Sequence, residues 1–338
     1  MKTICICGGG SLGHVTAGWL AAKGKAHVNI LSGHPEKWGD SISVSTPEDG
    51  EVLSGHIARV SSNPAEVIGE ADVVLFCYPG FMIPSALEQI RPYLRNDAFV
   101  GSVFSSTGFF FEALKLLPEG QPLWGFQRVP FISRVKEYGK SANLLGFKPC
   151  YHIAVENVSD ERKQQFAAMV EDWFERPVIL LANYYEASLT NSNPLLHTSR
   201  LYTMFGCGNE GRVYPRMINF YEEWTVEAAQ MLIDMDEEFF NLLAVLPVTP
   251  GYLPRILPYY ESHDAESLAR KLCSIKGFKG ITSPMIQTED GWVADFKSRY
   301  FTEDFPYGLK YIWQLAHENN IPCPCIDKVY EWGMSKIL

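Results

Sequence analysis

The sequence has 338 residues, of which 46% are hydrophobic and 13% aromatic, and it carries a formal net charge of -10 at pH 7. A chain of this size can bury the cores of two domains. Its acidic balance argues against nucleic-acid binding, because phosphate contacts need a basic face.

Membrane and export signals are also missing from the pattern. No uninterrupted apolar run approaches the roughly 18 residues that cross a bilayer, and only a short segment precedes the first glycine cluster, too short for the core of a secretory signal. The eight cysteines have neither paired metal-ligand spacing nor the density of a disulfide scaffold. We therefore expect a cytoplasmic protein with reduced thiols, no membrane contact and no metal site.

The first element is an apolar strand over residues 2–7, followed by the pattern G-x-G-x-x-G, a helical stretch and a second strand over residues 26–31. Glycines at these places let the backbone approach a pyrophosphate, whose charge lies at the helix N-terminus. The βαβ context predicts a dinucleotide site. The residues expected to contact the cofactor in this turn are Gly8, Gly10, Ser11, Leu12 and Gly13.

The end of the second strand indicates which cofactor is bound. An Asp or Glu there binds the ribose 2′-hydroxyl of NAD, whereas a 2′-phosphate is repelled by such an acid. Here Ser32, His34 and Lys37 could surround a phosphate, and the nearest acid is Glu36. The same residues would also suit an ordinary solvated turn. The pattern favours NADP(H) over NAD(H).

Alternating strands and helices continue through strands at 71–79 and 97–105 and a helix at 81–94, which predicts a parallel, doubly wound sheet. Residues 122–155 break the alternation. We interpret them as several strands with turns at Gly139 and Gly146 that complete the far edge of the sheet.

Strands largely stop after residues 176–183, and the later periodic segments are helical, most clearly over 225–246. The predicted fold is therefore α/β, with an N-terminal Rossmann dinucleotide-binding domain followed by an all-α domain. The expected domains are residues 1–184 and 185–338.

The helical domain opens with LTNSNPLLHTSRLY over residues 189–202. Asn191 or Asn193 could cap a helix, and Pro194 suits its first turn, where no backbone donor is needed. His197 is not explained by helix capping.

Four stretches carry a resemblance to the octopine/nopaline (opine) dehydrogenase family over essentially the whole chain: GGGSLGH, GFQRVPFISRVKEYGK, TNSNPLLHTSRLY and SRYFTEDFPYGL. The last two are the most specific. The positions that match the family's elements are Asn193 and His197, then Arg299 and Asp304, with Pro306 and Gly308 following. Many members have proline directly after the histidine, where this sequence has Thr198.

The resemblance implies an enzyme that joins the amino group of an amino acid to an α-keto acid such as pyruvate and reduces the product with hydride from a nicotinamide. His197 would polarise the keto oxygen and exchange protons, which suits a side chain with an ordinary pKa near 6.5. Asp304 would orient the histidine, and Arg299 would hold the keto acid's carboxylate. Asn193 belongs to the same expected catalytic group, in a cleft between the two domains.

Each assignment has a structural alternative: His197 on a helix surface, Asp304 in a turn or cap, and Arg299 as a surface cation. Two other functions stay open. One is a related two-domain reductase of a 2-keto or 3-hydroxy acid, and the other is a non-enzymatic dinucleotide-binding sensor. The sequence leaves the substrates, the direction of the reaction and a homodimer undetermined.

Overall fold

Two units make up the chain, Met1–Ser188 and Leu189–Leu338. The structure is a computed structural model that describes residues 1–47, 50–206 and 208–337.

The first unit contains the predicted βαβ start and the alternating elements that follow it. Its strands are β1 (Lys2–Cys7), β2 (Ala26–Leu31), β3 (Ser41–Ser45), β4 (Val52–His56), β5 (Arg59–Ser61), β6 (Val73–Phe76), β7 (Phe99–Ser102), β8 (Leu123–Phe126), β9 (Phe131–Glu137), β10 (Ser141–Phe147), β11 (Tyr151–Glu156) and β12 (Val178–Leu180). Its helices are α1 (Ser11–Ala22), α2 (Pro64–Val67), α3 (Ile83–Ile90), α4 (Phe109–Leu116), α5 (Asp160–Phe174) and α6 (Tyr184–Ser188). Short 3-10 turns cover Pro35–Lys37, Gly80–Met82, Arg91–Tyr93 and Ser105–Thr107.

Within the described residues, the main sheet has eight strands in the order β12-β11-β8-β7-β6-β1-β2-β5. Its neighbours pair in parallel except β11 with β8. The central strands are buried on both faces, as their continuous apolar runs predict. Phe109 and Phe110 of α4 are fully buried beside this sheet. The prediction of a doubly wound parallel sheet is confirmed.

The prediction for residues 122–155 was partly wrong. β8 and β11 do extend the main sheet, but β9 and β10 form a hairpin that joins β3 and β4 in a second sheet of order β4-β3-β10-β9. Gly139 does lie in the hairpin turn, with a φ of 73°, whereas Gly146 lies inside β10 at an irregularity in its pairing. An alternating pattern predicts a strand but does not identify the distant strand with which it pairs.

The second unit is mainly helical. Its helices are α7 (Asn193–Phe205), α8 (Val226–Leu243), α9 (Ile256–Tyr259), α10 (Ala265–Ser274), α11 (Arg299–Thr302), α12 (Lys310–Glu318) and α13 (Pro324–Ile337), with a 3-10 turn at Lys276–Phe278 and a π-helical turn at Phe305–Leu309. A hairpin of β13 (Met285–Thr288) and β14 (Gly291–Ala294), which the sequence pattern did not predict, interrupts the helices. Thr225 caps α8 by accepting the Ala228 N–H.

Two broader expectations concern the cysteines and the membrane. The thiols of Cys5, Cys7, Cys77, Cys150, Cys273, Cys323 and Cys325 are free, and Cys207 lies outside the described residues. Across the part of the chain that the structure describes, none of the helices combines the length and apolar character needed to cross a bilayer.

Candidate active site and cofactor site

The glycine-rich turn joins β1 to α1. Gly8 has a φ of 119°, which favours glycine, and a Cβ on Gly13 would lie only 2.1 Å from the Gly8 carbonyl oxygen. Around Gly10, the residue before α1, a Cβ would meet nothing within 4 Å. The first turn of α1 contains no acidic residue. The open backbone and the uncompensated helix N-terminus therefore fit the pyrophosphate of a dinucleotide. Ser11 and Leu12 lie in this same first turn.

His14, on α1, connects this turn to the β9–β10 hairpin. Its ring is buried, and Nδ1 lies 2.9 Å from the Gly10 carbonyl oxygen. The Gly139 N–H donates to Nε2 at 2.7 Å. Because a peptide N–H can only donate, Nε2 is unprotonated and Nδ1 carries the proton. Burial lowers the pKa of His14, so the neutral ring fixes the hairpin turn against the glycine-rich turn.

Ser32 lies at the end of β2 and is buried. Its hydroxyl accepts the indole N–H of Trp38 at 3.0 Å and the backbone N–H of His34 at 3.2 Å. The Tyr138 hydroxyl lies 3.3 Å away. A Cβ on Gly9 would approach that hydroxyl to 2.1 Å. Trp38 and Tyr138 therefore cover Ser32, beside the glycine-rich turn.

The other two residues predicted for the 2′-phosphate are exposed on the turn after β2. His34 Nδ1 lies 3.4 Å from Glu36 Oε1, and Lys37 Nζ lies 6.0 Å from the centre of the Tyr138 ring. Sequence reasoning did not single out Trp38 or Tyr138. Both come to this place through the 3-10 turn and the β9–β10 hairpin, whose paths the pattern does not specify.

In the second unit, His197 Nδ1 lies 2.8 Å from Asp304 Oδ2. The contact expected between these two residues is therefore present. His197 as a whole residue is only 8% exposed. Since an ionised carboxylate can only accept, Nδ1 carries a proton that it donates to Asp304. Nε2 lies 2.8 Å from the Tyr221 hydroxyl.

The segments that carry these two partners approach each other closely at Gly308 and Pro194. Asp304 directly precedes the π-helical turn, and its carbonyl oxygen accepts the Leu309 N–H at 2.7 Å. In that turn, a Cβ on Gly308 would lie 3.0 Å from Pro194 Cγ. Pro194 lies in the first turn of α7, one turn before His197. The absence of a side chain at Gly308 therefore permits the close approach of the two segments that carry His197 and Asp304.

The start of α7 also resolves the question of its cap. The residue at the N-cap of α7 is Ser192, whose side chain makes no capping hydrogen bond, so the expectation that Asn191 or Asn193 caps the helix is wrong. Asn193 is the first residue of the helix, and the Asn191 side chain accepts the Asn193 N–H at 3.3 Å in the turn that precedes it. Asn193 is half-buried one turn before His197. Thr198, the departure from the family pattern, donates its hydroxyl to the Pro194 carbonyl oxygen.

Tyr221 is a candidate residue that sequence reasoning missed. Its ring stacks on Phe278 with 4.0 Å between ring centres and contacts the Phe220 ring edge-on at 4.9 Å. Burial raises the pKa of Tyr221. It lies between α7 and α8 in an aromatic segment that resembles core, with no spacing that relates it to His197.

Two arginines differ in their surroundings. Arg299 is the first residue of α11, and its side chain is 83% exposed, with Nη2 3.9 Å from Glu303 Oε1. The next residue, Tyr300, places its ring centre 4.9 Å from that of His197. Arg200, one turn after His197 on α7, is buried, donates to the Glu223 carbonyl oxygen at 2.7 Å, and has a pKa lowered to about 10 by burial. Whether Arg299 points towards the substrate stays a prediction.

Two family models match the chain. The model for the NAD/NADP octopine/nopaline dehydrogenase, alpha-helical domain, matches residues 180–337, and that for ketopantoate reductase PanE/ApbA matches residues 4–104. The chain belongs to the octopine/nopaline (opine) dehydrogenase family. It is an NAD(P)-dependent oxidoreductase of the opine dehydrogenase type, with a Rossmann domain followed by a helical domain.

Similar proteins of known activity match over nearly the whole chain. An opine dehydrogenase from Haliotis discus hannai is 26% identical over 99% of this chain and 90% of its own length. A tauropine dehydrogenase from Arabella iricolor is 28% identical over 98% of this chain and 91% of its own length.

Solved structures share the fold. Octopine dehydrogenase with NADH and L-arginine has a TM-score of 0.85 at 23% identity, over 100% of this chain and 90% of its own. The same enzyme with NADH and pyruvate has a TM-score of 0.84 at 23% identity, with 100% and 89% covered. Yersinopine dehydrogenase with NADP+ has a TM-score of 0.70 at 14% identity, with 99% and 91% covered.

Proposed function

We propose that this enzyme condenses the α-amino group of an amino acid with an α-keto acid such as pyruvate and reduces the product with NADPH. The observation that carries the proposal is the buried His197–Asp304 hydrogen bond. A buried imidazole whose Nδ1 is held by a carboxylate is oriented and supported in its protonated form, which is what a general acid needs.

The condensation requires one proton at the step in which water is lost. When the amine adds to the keto carbon, a carbinolamine forms, and its hydroxyl must be protonated before it leaves as water. His197 supplies this proton in our scheme, and Asp304 stabilises the charged imidazole. Arg299 holds the substrate carboxylate, since its exposed guanidinium can form two parallel hydrogen bonds. The bound nicotinamide cofactor supplies the hydride that reduces the imine.

Support for NADPH comes from the end of β2. Position 32 is a serine and not an acidic residue, and the nearest acidic residue, Glu36, is exposed beside His34. The Tyr138 hydroxyl lies 3.3 Å from Ser32 Oγ and the Lys37 ammonium 6.0 Å from the Tyr138 ring, so both are near the strand end that carries the ribose-binding residue in such folds and would suit a 2′-phosphate. Among the structural relatives, octopine dehydrogenase holds NADH and yersinopine dehydrogenase holds NADP+.

The test is a matrix of amino acids against α-keto acids, with each nicotinamide followed by its absorbance. We expect turnover only when an amine and a keto acid are both present, and faster with NADPH. Turnover of a keto acid without an amine would support a simple 2-keto acid reductase instead. Cofactor binding with no turnover for any pair would support a sensor.

A matched variant tests the residue assignment. His197→Ala should lower turnover by about 10² to 10⁴ while cofactor affinity stays nearly unchanged, because the imidazole acts on the substrate and not on the pyrophosphate. Wild-type turnover in this variant would reduce His197 to a structural residue.

A further inference from the structure

Both ring nitrogens of His197 are occupied. Nδ1 lies 2.8 Å from Asp304 Oδ2, and Nε2 lies 2.8 Å from the Tyr221 hydroxyl. Two aromatic rings also pack against the imidazole, Phe220 edge-on at 5.6 Å and Tyr300 at a tilt at 4.9 Å between ring centres. In this arrangement the imidazole offers no nitrogen directly to a substrate.

Tyr221 does not readily turn away to expose Nε2. Its ring is stacked on Phe278 at 4.0 Å with 19° between the planes, and it is nearly parallel to Trp224, with 14° between the planes and 5.9 Å between the centres. Phe220 contacts it edge-on. Tyr221 is only 5% exposed. Moving the ring would break this packing, whereas passing a proton through the hydroxyl needs no movement of heavy atoms.

We propose that the Tyr221 hydroxyl is the group that exchanges the proton with the substrate, and that Asp304, His197 and Tyr221 form one relay. The inference rests on the proposed role of His197 as the source of that proton. It adds Tyr221 as a catalytic residue and changes the position of the reacting oxygen, which then meets the phenol oxygen and not the imidazole.

The relay balances as follows in the condensation direction. The Nε2–H bond of the protonated His197 breaks and its proton forms a bond to the Tyr221 oxygen. At the same time the Tyr221 O–H bond breaks, and that proton goes to the hydroxyl group of the carbinolamine, which leaves as water with the C–O electron pair. The lone pair of the amine nitrogen forms the C=N bond, so the positive charge passes from the imidazole to the iminium product. His197 ends as a neutral imidazole whose Nδ1–H still donates to the Asp304 carboxylate, and Tyr221 ends as a neutral phenol. Because burial raises the pKa of Tyr221, the two transfers occur together and no phenolate forms.

The test compares Tyr221→Phe, His197→Ala and the double variant by single-turnover oxidation of NADPH with saturating amino acid and keto acid. Phenylalanine keeps the stacked ring and removes only the hydroxyl. We expect Tyr221→Phe to lose about 10² to 10⁴ in rate, to within a few-fold of His197→Ala, and the double variant to lose no more than either single one. Cofactor affinity should stay unchanged in all three.

The matched control is Tyr214→Phe. The Tyr214 hydroxyl, like that of Tyr221, is hydrogen-bonded to α7, where it donates to the Met204 carbonyl oxygen at 2.7 Å, so this variant loses a hydrogen bond to the same helix away from His197. It should keep nearly wild-type turnover.

Two outcomes separate the relay from the proposed function. If Tyr221→Phe keeps a rate within about threefold of wild type while His197→Ala is inactive, the relay is wrong and the histidine role stands. If His197→Ala itself keeps full activity, the proposed function of the histidine fails first.

If Tyr221→Phe does not fold, the wild-type rate is measured in mixtures of H₂O and D₂O. A curved dependence of the rate on deuterium content indicates two protons in motion, and a straight line would overturn the relay.

Discussion

Asp304→Asn changes one charge at the candidate site and leaves the shape of the side chain unchanged. Asp304 Oδ2 lies 2.8 Å from His197 Nδ1, and the two side chains are 10% and 20% exposed. In a partly buried place with an effective dielectric constant of about 20, opposite unit charges about 4 Å apart attract by about 4 kcal/mol, which is an upper limit for the loss. The lower limit is the difference between a charge-assisted and a neutral hydrogen bond, about 1.5 kcal/mol.

These limits correspond to a loss of about tenfold to 10³-fold in the rate of the proton-dependent step. The assay is single-turnover oxidation of NADPH by the best amino acid and keto acid pair. Asp290→Asn is the control, since it removes the same charge from the exposed turn of the β13–β14 hairpin. If Asp304→Asn turned over at the wild-type rate, or if Asp290→Asn lost as much, the carboxylate would not support a charged imidazole.

Three further substitutions test other parts of the molecule. Ser32→Asp should make NADH bind more tightly than NADPH, because the new carboxylate can accept the Trp38 N–H and would repel a 2′-phosphate; calorimetry that still finds NADPH tighter would contradict this assignment. Arg299→Lys should raise the KM for the keto acid about tenfold with little change in kcat, because lysine lacks the planar fork, and a raised KM for the cofactor alone would place this cation on the pyrophosphate instead. Burial raises the pKa of Asp236 from 3.8 to about 6, so the folded state binds this proton more tightly than the unfolded chain and stability falls as pH rises between those values. Asp236→Asn, whose oxygen can still accept the Ile256 N–H, should therefore raise Tm more at pH 7.5 than at pH 5, and equal changes at both would refute the pKa shift.

The parts of the fold that depend on local pattern follow from the sequence. Apolar runs at 2–7 and 26–31 predict β1 and β2 with the bounds that the structure has, because the glycine-rich turn and a short loop delimit them. The pairing of β10 with β3 could not be predicted in this way, since it depends on contacts about 100 positions apart.

The same difference between local pattern and distant contacts applies to the residues of the candidate site. His197 and Asp304 are 107 positions apart, and the family resemblance rather than spacing brought them together in our prediction. Tyr221, Trp38 and Tyr138 reach their places through loops and a hairpin turn. Their residue types alone are equally typical of core, so only coordinates could assign them.

The contact between Gly308 and Pro194 has a consequence for directed evolution of this enzyme. Neither residue carries a functional group, yet a methyl group at position 308 would lie 3.0 Å from Pro194 Cγ, so that the proline ring or the π-helical turn would have to move by a few tenths of an ångström. A library screened for new substrates should then contain members with lowered activity in which every reacting side chain is intact. Restoring such a member would require a change at position 194 and not at the reacting residues. The two positions should therefore be held constant together when the residues around His197 are redesigned, or varied only as a pair.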